Sequence, residues 1–289
     1  MTVLILTGRE IRPLRGLCSV GLNENMAKTQ KELAYLQELY VERVWTRRFT
    51  DLIDKYFNFD DAENLLYLNA GTGDHAFALR ERIDDKIEIF ATCENEDLLQ
   101  IARDKSAAIS SGIEFSTGSF ENDSFDLIIA DASFATPDAY NEVVEDAVRM
   151  ADAGAKIGIL SVTSGSFGEV FSLLWEVLFI EDLGDHGAAA EQMITEQQTV
   201  SRVKEIAKRA GLENVQTHLA NEVFEFDDGA AFVSSPLVAD FLLPAWLRTL
   251  SEEEKECVGD KLAKLIDAED GSLSFRFSIK ATLVTGEKV

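Results

Sequence analysis

A doubly wound α/β domain on a mostly parallel, seven-stranded sheet is the fold the sequence predicts, and three observations carry the expectation. Short, β-rich apolar runs alternate with helical stretches from residue 61 onward, as when crossover helices cover both faces of a parallel sheet. The turn Asn69–Gly73 joins the first run to a helical stretch, and Glu94 closes the next run, the placement expected of a nucleotide-binding α/β unit. The last two runs alternate in period two, as half-buried strands do.

Residues 1–25 carry three arginines and two acids, unlike the acidic body, and precede Met26. They are expected to be a disordered arm or an over-extended start. From Thr29 to Phe57, Leu33, Leu36, Tyr40, Val44, Leu52 and Tyr56 recur at helical spacing with no Pro or Gly, predicting one or two amphipathic helices within residues 26–60. Strands are then expected at 65–69, 87–92, 113–117, 125–130 and 156–162, with helices at 74–83, 96–110 and 138–152. A helix over 199–210 stops at Gly211 and leads to a strand at 215–226; the last strand is expected at 274–284. The core thus spans 61–228 and is completed by 271–289. Between the last two strands, residues 229–270 carry Pro236, Pro244, Phe232, Phe241 and Trp246, and Ser251 and Glu254 stand at capping-box spacing. A helical insertion is expected there, roofing a cleft with Phe232 to Trp246 over the ends of the first and fourth strands.

Composition narrows the function. The chain has 289 residues, 27 Lys+Arg against 52 Asp+Glu, and a net charge of −25. Such a surface repels phosphate backbones, so nucleic acid is not the expected partner. No apolar run reaches the roughly 18 residues of a membrane span, and the expected location is cytoplasmic. Cys18, Cys93 and Cys257 show no paired spacing, which suggests neither a disulfide framework nor a CxxC metal site. His75, His186 and His218 are scattered, so no metal is expected.

The chemistry concentrates in LLYLNAGTGDHAFAL, residues 65–79. Glycines at such a turn let backbone approach a ligand, and the following helix offers free N–H groups. Gly71, Gly73 and Ala76 satisfy GxGxxA, and Glu94 lies 21 residues past Gly73, where an acid can accept both ribose hydroxyls. The pattern fits nicotinamide-dependent oxidoreductases and class I S-adenosylmethionine-dependent methyltransferases alike. A nicotinamide domain often begins at its first strand; here about 60 residues of helical character come first.

With those helices, NAGTGDHAFAL, the strand end FATCEN, the strand SFDLIIADASF, the strand DAGAKIGILSV and the terminal strand pair, residues 30–285 resemble the methyltransferases. The insertion VSSPLVADFLLPAW before FRFSIKATLV is most similar to small-molecule enzymes of the ubiquinone/menaquinone-biosynthesis type. The resemblance implies a Rossmann-like fold, S-adenosylmethionine as cofactor and a small-molecule acceptor. It further implies Gly71 and Gly73 near the methionine part, Asn69 among the cofactor-binding residues of the same turn, Glu94 on the ribose, Asn95, Ser119 and Phe120 around the adenine, and Asp131 near the amino-acid end or the methyl group. No catalytic base is implied. The family's turn usually starts with an acid and Gly-x-Gly-x-Gly; here Tyr67 and Asn69 stand at the first acid and first glycine, and Ser119 stands at a frequent Asp. On those departures a degenerate fold serving as a binding protein is the alternative, and restoring Asp at 67 with Gly at 69 would tighten cofactor binding. ADASF at 130–134 occupies an amino-methyltransferase motif without its prolines, His75 could face the cofactor, and His186 could accept a proton.

Overall fold

The computed structural model describes residues 28–183, 197–270 and 274–289; the arm 1–25 and His186 lie outside them. Chain direction is first set by a capping box: Thr29 Oγ1 accepts the Glu32 amide at 3.2 Å, and the Glu32 carboxylate accepts the Thr29 amide at 2.7 Å. From there α1 (Gln30–Leu36), a π-helical segment (Gln37–Thr46) and α2 (Arg47–Tyr56) follow one another without a break. This rod buries Ala34, Val41, Trp45, Phe49, Leu52 and Ile53. It lies along the molecule, α1 against α4 (Glu96–Ile109) and α2 across the late strands.

The sheet has seven strands in the order β3-β2-β1-β4-β5-β7-β6. They are β1 (Asn64–Leu68), β2 (Glu88–Thr92), β3 (Glu114–Ser116), β4 (Phe125–Ala132), β5 (Ala151–Thr163), β6 (Leu212–Phe226) and β7 (Phe275–Lys288). The first five pair in parallel, with Leu65 beside both Ile89 and Leu127; β7 runs antiparallel between β5 and β6. Alternation sorts β1 between two cores. Leu66 and Leu68 pack with Tyr140, Val144 and Ala147 of α5 (Pro137–Met150) and with Val203 of α7 (Val200–Arg209). Leu65 and Tyr67 face the rod, α3 (Asp74–Arg80) and the insertion.

One helix was not expected. α6 (Gly168–Ile180) buries Val170, Phe171, Leu174, Val177 and Leu178 yet exposes Trp175, Phe179 and Ile180; a helix apolar on nearly all sides shows no 3.6-residue period to read. The insertion forms helices at Gly229–Ser234, Leu237–Leu242, Leu243–Trp246 and Glu252–Asp270. The Ser251/Glu254 capping box is made. A Cβ at Gly229 would collide with the Ala263 carbonyl, so glycine sets the approach of these helices. Phe241 lies 6.3 Å from Phe134, after β4, and Trp246 lies 5.2 Å from Phe167, after β5. The roof therefore covers the ends of β4 and β5 rather than β1 and β4 as expected; the rod already occupies the place above β1. Among the described residues no helix is long and apolar enough to cross a membrane. Cys93 is a free, buried thiol.

Candidate active site

At the carboxyl end of β1 the chain must reverse within a few residues to enter α3. Asn69, Gly71 and Gly73 take left-handed conformations, with φ of 56°, 58° and 87°. Asn69 manages this as a non-glycine because its polar side chain is locally bonded: its amide donates to Thr92 Oγ1 and its Nδ2 to the Asp131 carbonyl, both at 3.0 Å. It staples β1 to β2 and β4. Gly73 is fixed by packing as well, since a Cβ there would lie 2.7 Å from the Phe115 ring. Gly71 leaves room for a carboxylate: a Cβ there would collide with Glu42 Oε1.

Glu42 comes from the π-helical segment and is 5% exposed. Its Oε1 accepts the Thr72 amide at 3.4 Å. Burial, aided by the negative charges of Asp74, Asp131 and Glu94, pushes its pKa up to about 8. Glu94 is exposed as a residue, yet the protein packed around its carboxylate pushes its pKa up to about 7, with Asp131 adding to the rise and the Gly71 amide opposing it. Burial also raises the pKa of Asp131, against the Ser133 amide that its Oδ1 accepts at 2.8 Å. Three carboxylates on three different elements thus converge on one turn. Neighbouring acids are neutralised otherwise: Lys105 of α4 pairs with Glu38 at 2.7 Å and with Asp74, and Glu38 accepts the Thr72 hydroxyl.

Tyr67 is not a lost acid. Its hydroxyl meets His75 Nδ1 at 3.0 Å, His75 Nε2 meets Asp54 Oδ1 at 3.1 Å, and Arg82 pairs with Asp54 at 2.5 Å. Burial works against the Asp54 charge, but the His75 and Arg82 hydrogen bonds outweigh it and hold its pKa below the usual range. His75 is buried and turned toward α2, so it ties turn to rod and does not face a ligand through either ring nitrogen.

Of the residues expected at the site, Asn69, Gly71, Gly73, Glu94 and Asp131 are brought together. Asn95 is the N-cap of α4, its Oδ1 accepting the Asp97 and Leu98 amides at 3.1 and 3.0 Å, so its side-chain acceptor is already committed. Ser119 and Phe120 do not belong to the site. Ser119 accepts Arg149 Nη2 at 2.7 Å near the end of α5, and Phe120 packs on Phe90 and Phe125, the latter at the start of β4. The apolar ring draws the loop toward the amino ends of the strands. Thr117 and Gly118 follow β3 at its carboxyl end instead; Thr117 donates to Glu96 at 2.7 Å, and a Cβ at Gly118 would meet nothing within 4 Å. Sequence reasoning missed Glu42 altogether. A cavity of about 950 Å³ is lined by residues 55–62, 82–84, 86 and 87 at the amino ends of β1 and β2. Ligands of open α/β sheets sit at the carboxyl ends, so the turn and not this cavity is the candidate site.

The donor set can be tested against both nucleotide classes. A pyrophosphate at the turn would meet Glu42, Glu94 and Asp131 at close quarters, and each of them that is ionised repels it. A ligand carrying positive charge gains from the same three groups. The residues therefore fit S-adenosylmethionine and do not fit a dinucleotide.

The model of the ubiE/COQ5 methyltransferase family matches residues 24–221. No curated protein matches significantly. Among solved structures, the chain is similar to the YcgJ protein of Bacillus subtilis, at 13% identity and a TM-score of 0.53, over 84% of this chain and 98% of that one. It is also similar to a Bacillus halodurans protein described as a methyltransferase, at 14% and 0.54, over 84% and 99%. A third likeness is to phosphoethanolamine N-methyltransferase 2 of Haemonchus contortus, crystallised with S-adenosylhomocysteine and phosphomonomethylethanolamine, at 11% and 0.50, over 90% of this chain and 57% of that one. These likenesses show the shared fold.

Proposed function

Because this chain belongs to the ubiE/COQ5 methyltransferase family and acts by S-adenosylmethionine-dependent methyl transfer, we propose that it methylates a small molecule admitted beneath the helical insertion. The observation that carries the reading is the convergence of Glu42, Glu94 and Asp131 on a left-handed glycine turn, an anionic cradle for a cationic nucleoside. A net charge of −25 argues against a nucleic-acid acceptor.

The cofactor supplies an electrophilic methyl group on a positively charged sulfur. The protein's part is alignment and exclusion of water. Gly71 and Gly73 bring backbone close, Glu94 accepts the ribose hydroxyls, and Thr117 with Gly118 walls the adenine side. Asp131 stands toward the reacting end, and the insertion, through Phe241 and Trp246 on Phe134 and Phe167, keeps water from the acceptor side. No side chain here is assigned as a base.

Thermal unfolding with S-adenosylhomocysteine and, separately, NAD tests the reading. A ligand bound only by the folded state stabilises it by about 2.7 kcal/mol at a hundredfold excess over Kd. A shift with the former and none with the latter is expected; the reverse would overturn the reading. Glu94→Gln should weaken S-adenosylhomocysteine binding by about 1.5 to 3 kcal/mol, the scale of hydrogen bonds to a charged group. Since ionised Glu94 is the better acceptor and its pKa is about 7, wild-type affinity should rise as pH rises through 7, and calorimetry at both pH extremes should show Glu94→Gln losing part of that rise. Equal affinity of the variant would remove Glu94 from the site.

A further inference from the structure

We propose that Glu42, reaching the glycine turn from the amino-terminal rod, receives the α-ammonium group of the cofactor's methionine part and so supplies the anion that Tyr67 does not. The inference rests on the methyltransferase reading and extends it to a residue outside the core strands.

Position comes first. Glu42 Oε1 sits in the space that a side chain at Gly71 would fill and within reach of the Thr72 amide, so it lies on the backbone that approaches the ligand. Balance of charge comes second. The charges acting on Glu42 are those of Asp74 after the turn, Asp131 on β4 and Glu94 after β2, and its own charge acts on Tyr67 of β1 and Cys93 after β2; the nearby cation is Lys105 of α4. Lys105 is shared by Glu38 and Asp74, and none of the ion pairs among the described residues reaches Glu42. A buried carboxylate among acids without a cation destabilises the fold unless it is protonated or a cation joins it. An ammonium group can be that cation, and the Tyr67 hydroxyl does not compete to receive it because it is committed to His75.

Ionisation then couples to binding. With an unliganded pKa of about 8, Glu42 is largely protonated near neutrality, and an arriving ammonium group expels the proton. Titration calorimetry in buffers of different ionisation enthalpy should detect proton release near pH 7 with S-adenosylhomocysteine. Glu42→Gln should weaken that ligand roughly ten- to hundredfold and abolish the proton release assigned to this group. Glu42→Asp should recover part of the affinity. Methylthioadenosine, which lacks the amino-acid end, should bind wild type and Glu42→Gln equally. The unliganded Glu42→Gln protein should melt higher than wild type above pH 5 or so, because a buried carboxylate with a raised pKa destabilises the fold progressively from its unfolded value of about 4.3 upward. If wild type binds S-adenosylhomocysteine and Glu42→Gln binds it equally well, or loses methylthioadenosine in the same proportion, the assignment fails while the methyltransferase reading stands. If wild type binds neither ligand, both fail. A lower melting temperature for Glu42→Gln together with weaker binding of both ligands would mark Glu42 as structural only and overturn the proposal.

Discussion

Replacing Tyr67 with Asp is expected to unfold the protein or leave it at the edge of unfolding. Tyr67 is 1% exposed and packs edge-on against His75. Removing a buried ring costs about 3 to 5 kcal/mol through lost transfer energy and the cavity left behind. The new carboxylate would also join Glu42, Asp54, Glu94 and Asp131, the four acids whose charges already push the Tyr67 hydroxyl well above its ordinary pKa after burial has done most. An unpaired charge in such surroundings adds several kcal/mol, and total stability is only about 5 to 15 kcal/mol. The double change at 67 and 69, which by sequence alone should tighten cofactor binding, therefore damages the fold, and more so because Asn69 loses its bond to the Asp131 carbonyl. Urea unfolding of Tyr67→Asp beside Tyr67→Phe measures this. The phenylalanine variant should lose only about 1 to 3 kcal/mol, the cost of leaving His75 Nδ1 unpaired. A Tyr67→Asp protein within about 1 kcal/mol of wild type, on the scale of ordinary surface changes, would refute this role for Tyr67.

Trp45→Ala should be nearly as severe. The indole is 1% exposed, with ring centroids 5.2 Å from Phe49, 4.8 Å from Phe134, 6.1 Å from Phe167 and 5.7 Å from Phe224. Its Nε1 donates to Ser133 Oγ at 3.0 Å. Truncation costs about 3 to 5 kcal/mol, before the specific ring-pair energies of about 0.5 to 1.5 kcal/mol each are counted. These contacts are what hold the rod against the ends of β4, β5 and β6, and Glu42 lies three residues earlier on the same segment. Ligand affinity should therefore fall with stability, whereas Trp45→Phe should retain much of both. Full stability of Trp45→Ala in calorimetric melting would show that the rod is held elsewhere.

The sheet was legible because each strand carries its own apolar run between polar breaks, so a period-based reading finds it without tertiary information. Its ends were less so: β5 begins at Ala151 rather than 156, where Gly154 and charged neighbours hide the pairing with β4. Left-handed Asn69 was also readable, from the short list of side chains that tolerate that conformation. Glu42 was not. In sequence it is one acid among many on a helix, and on charge alone such a residue belongs to the solvated face; only the path of the rod over a turn 30 residues away buries it. The cap made by Asn95 was not foreseen for a related reason, since an Asn before a helix has a cap to make before it has any ligand to meet. Ser119 and Phe120 failed on chain path, the ring of Phe120 drawing the segment into the lower core. The placement of the roof depended on where the rod already lay, which no local pattern records.

The π winding of residues 37–46 makes the length of the rod a rotational coordinate. A π segment differs from an α-helix by residues accommodated without breaking the rod, and such segments recur at functional sites. Each residue of an α-helix turns the chain by about 100°. Loss of Arg43 or Val44, the two residues between Glu42 and Trp45, would thus swing Glu38 and Glu42 around the rod axis relative to Trp45, leaving the aromatic anchor seated and the carboxylates pointing elsewhere. In a lineage of such proteins, single-codon insertions and deletions within this stretch would retune the charge presented to the turn while the seven strands stay untouched.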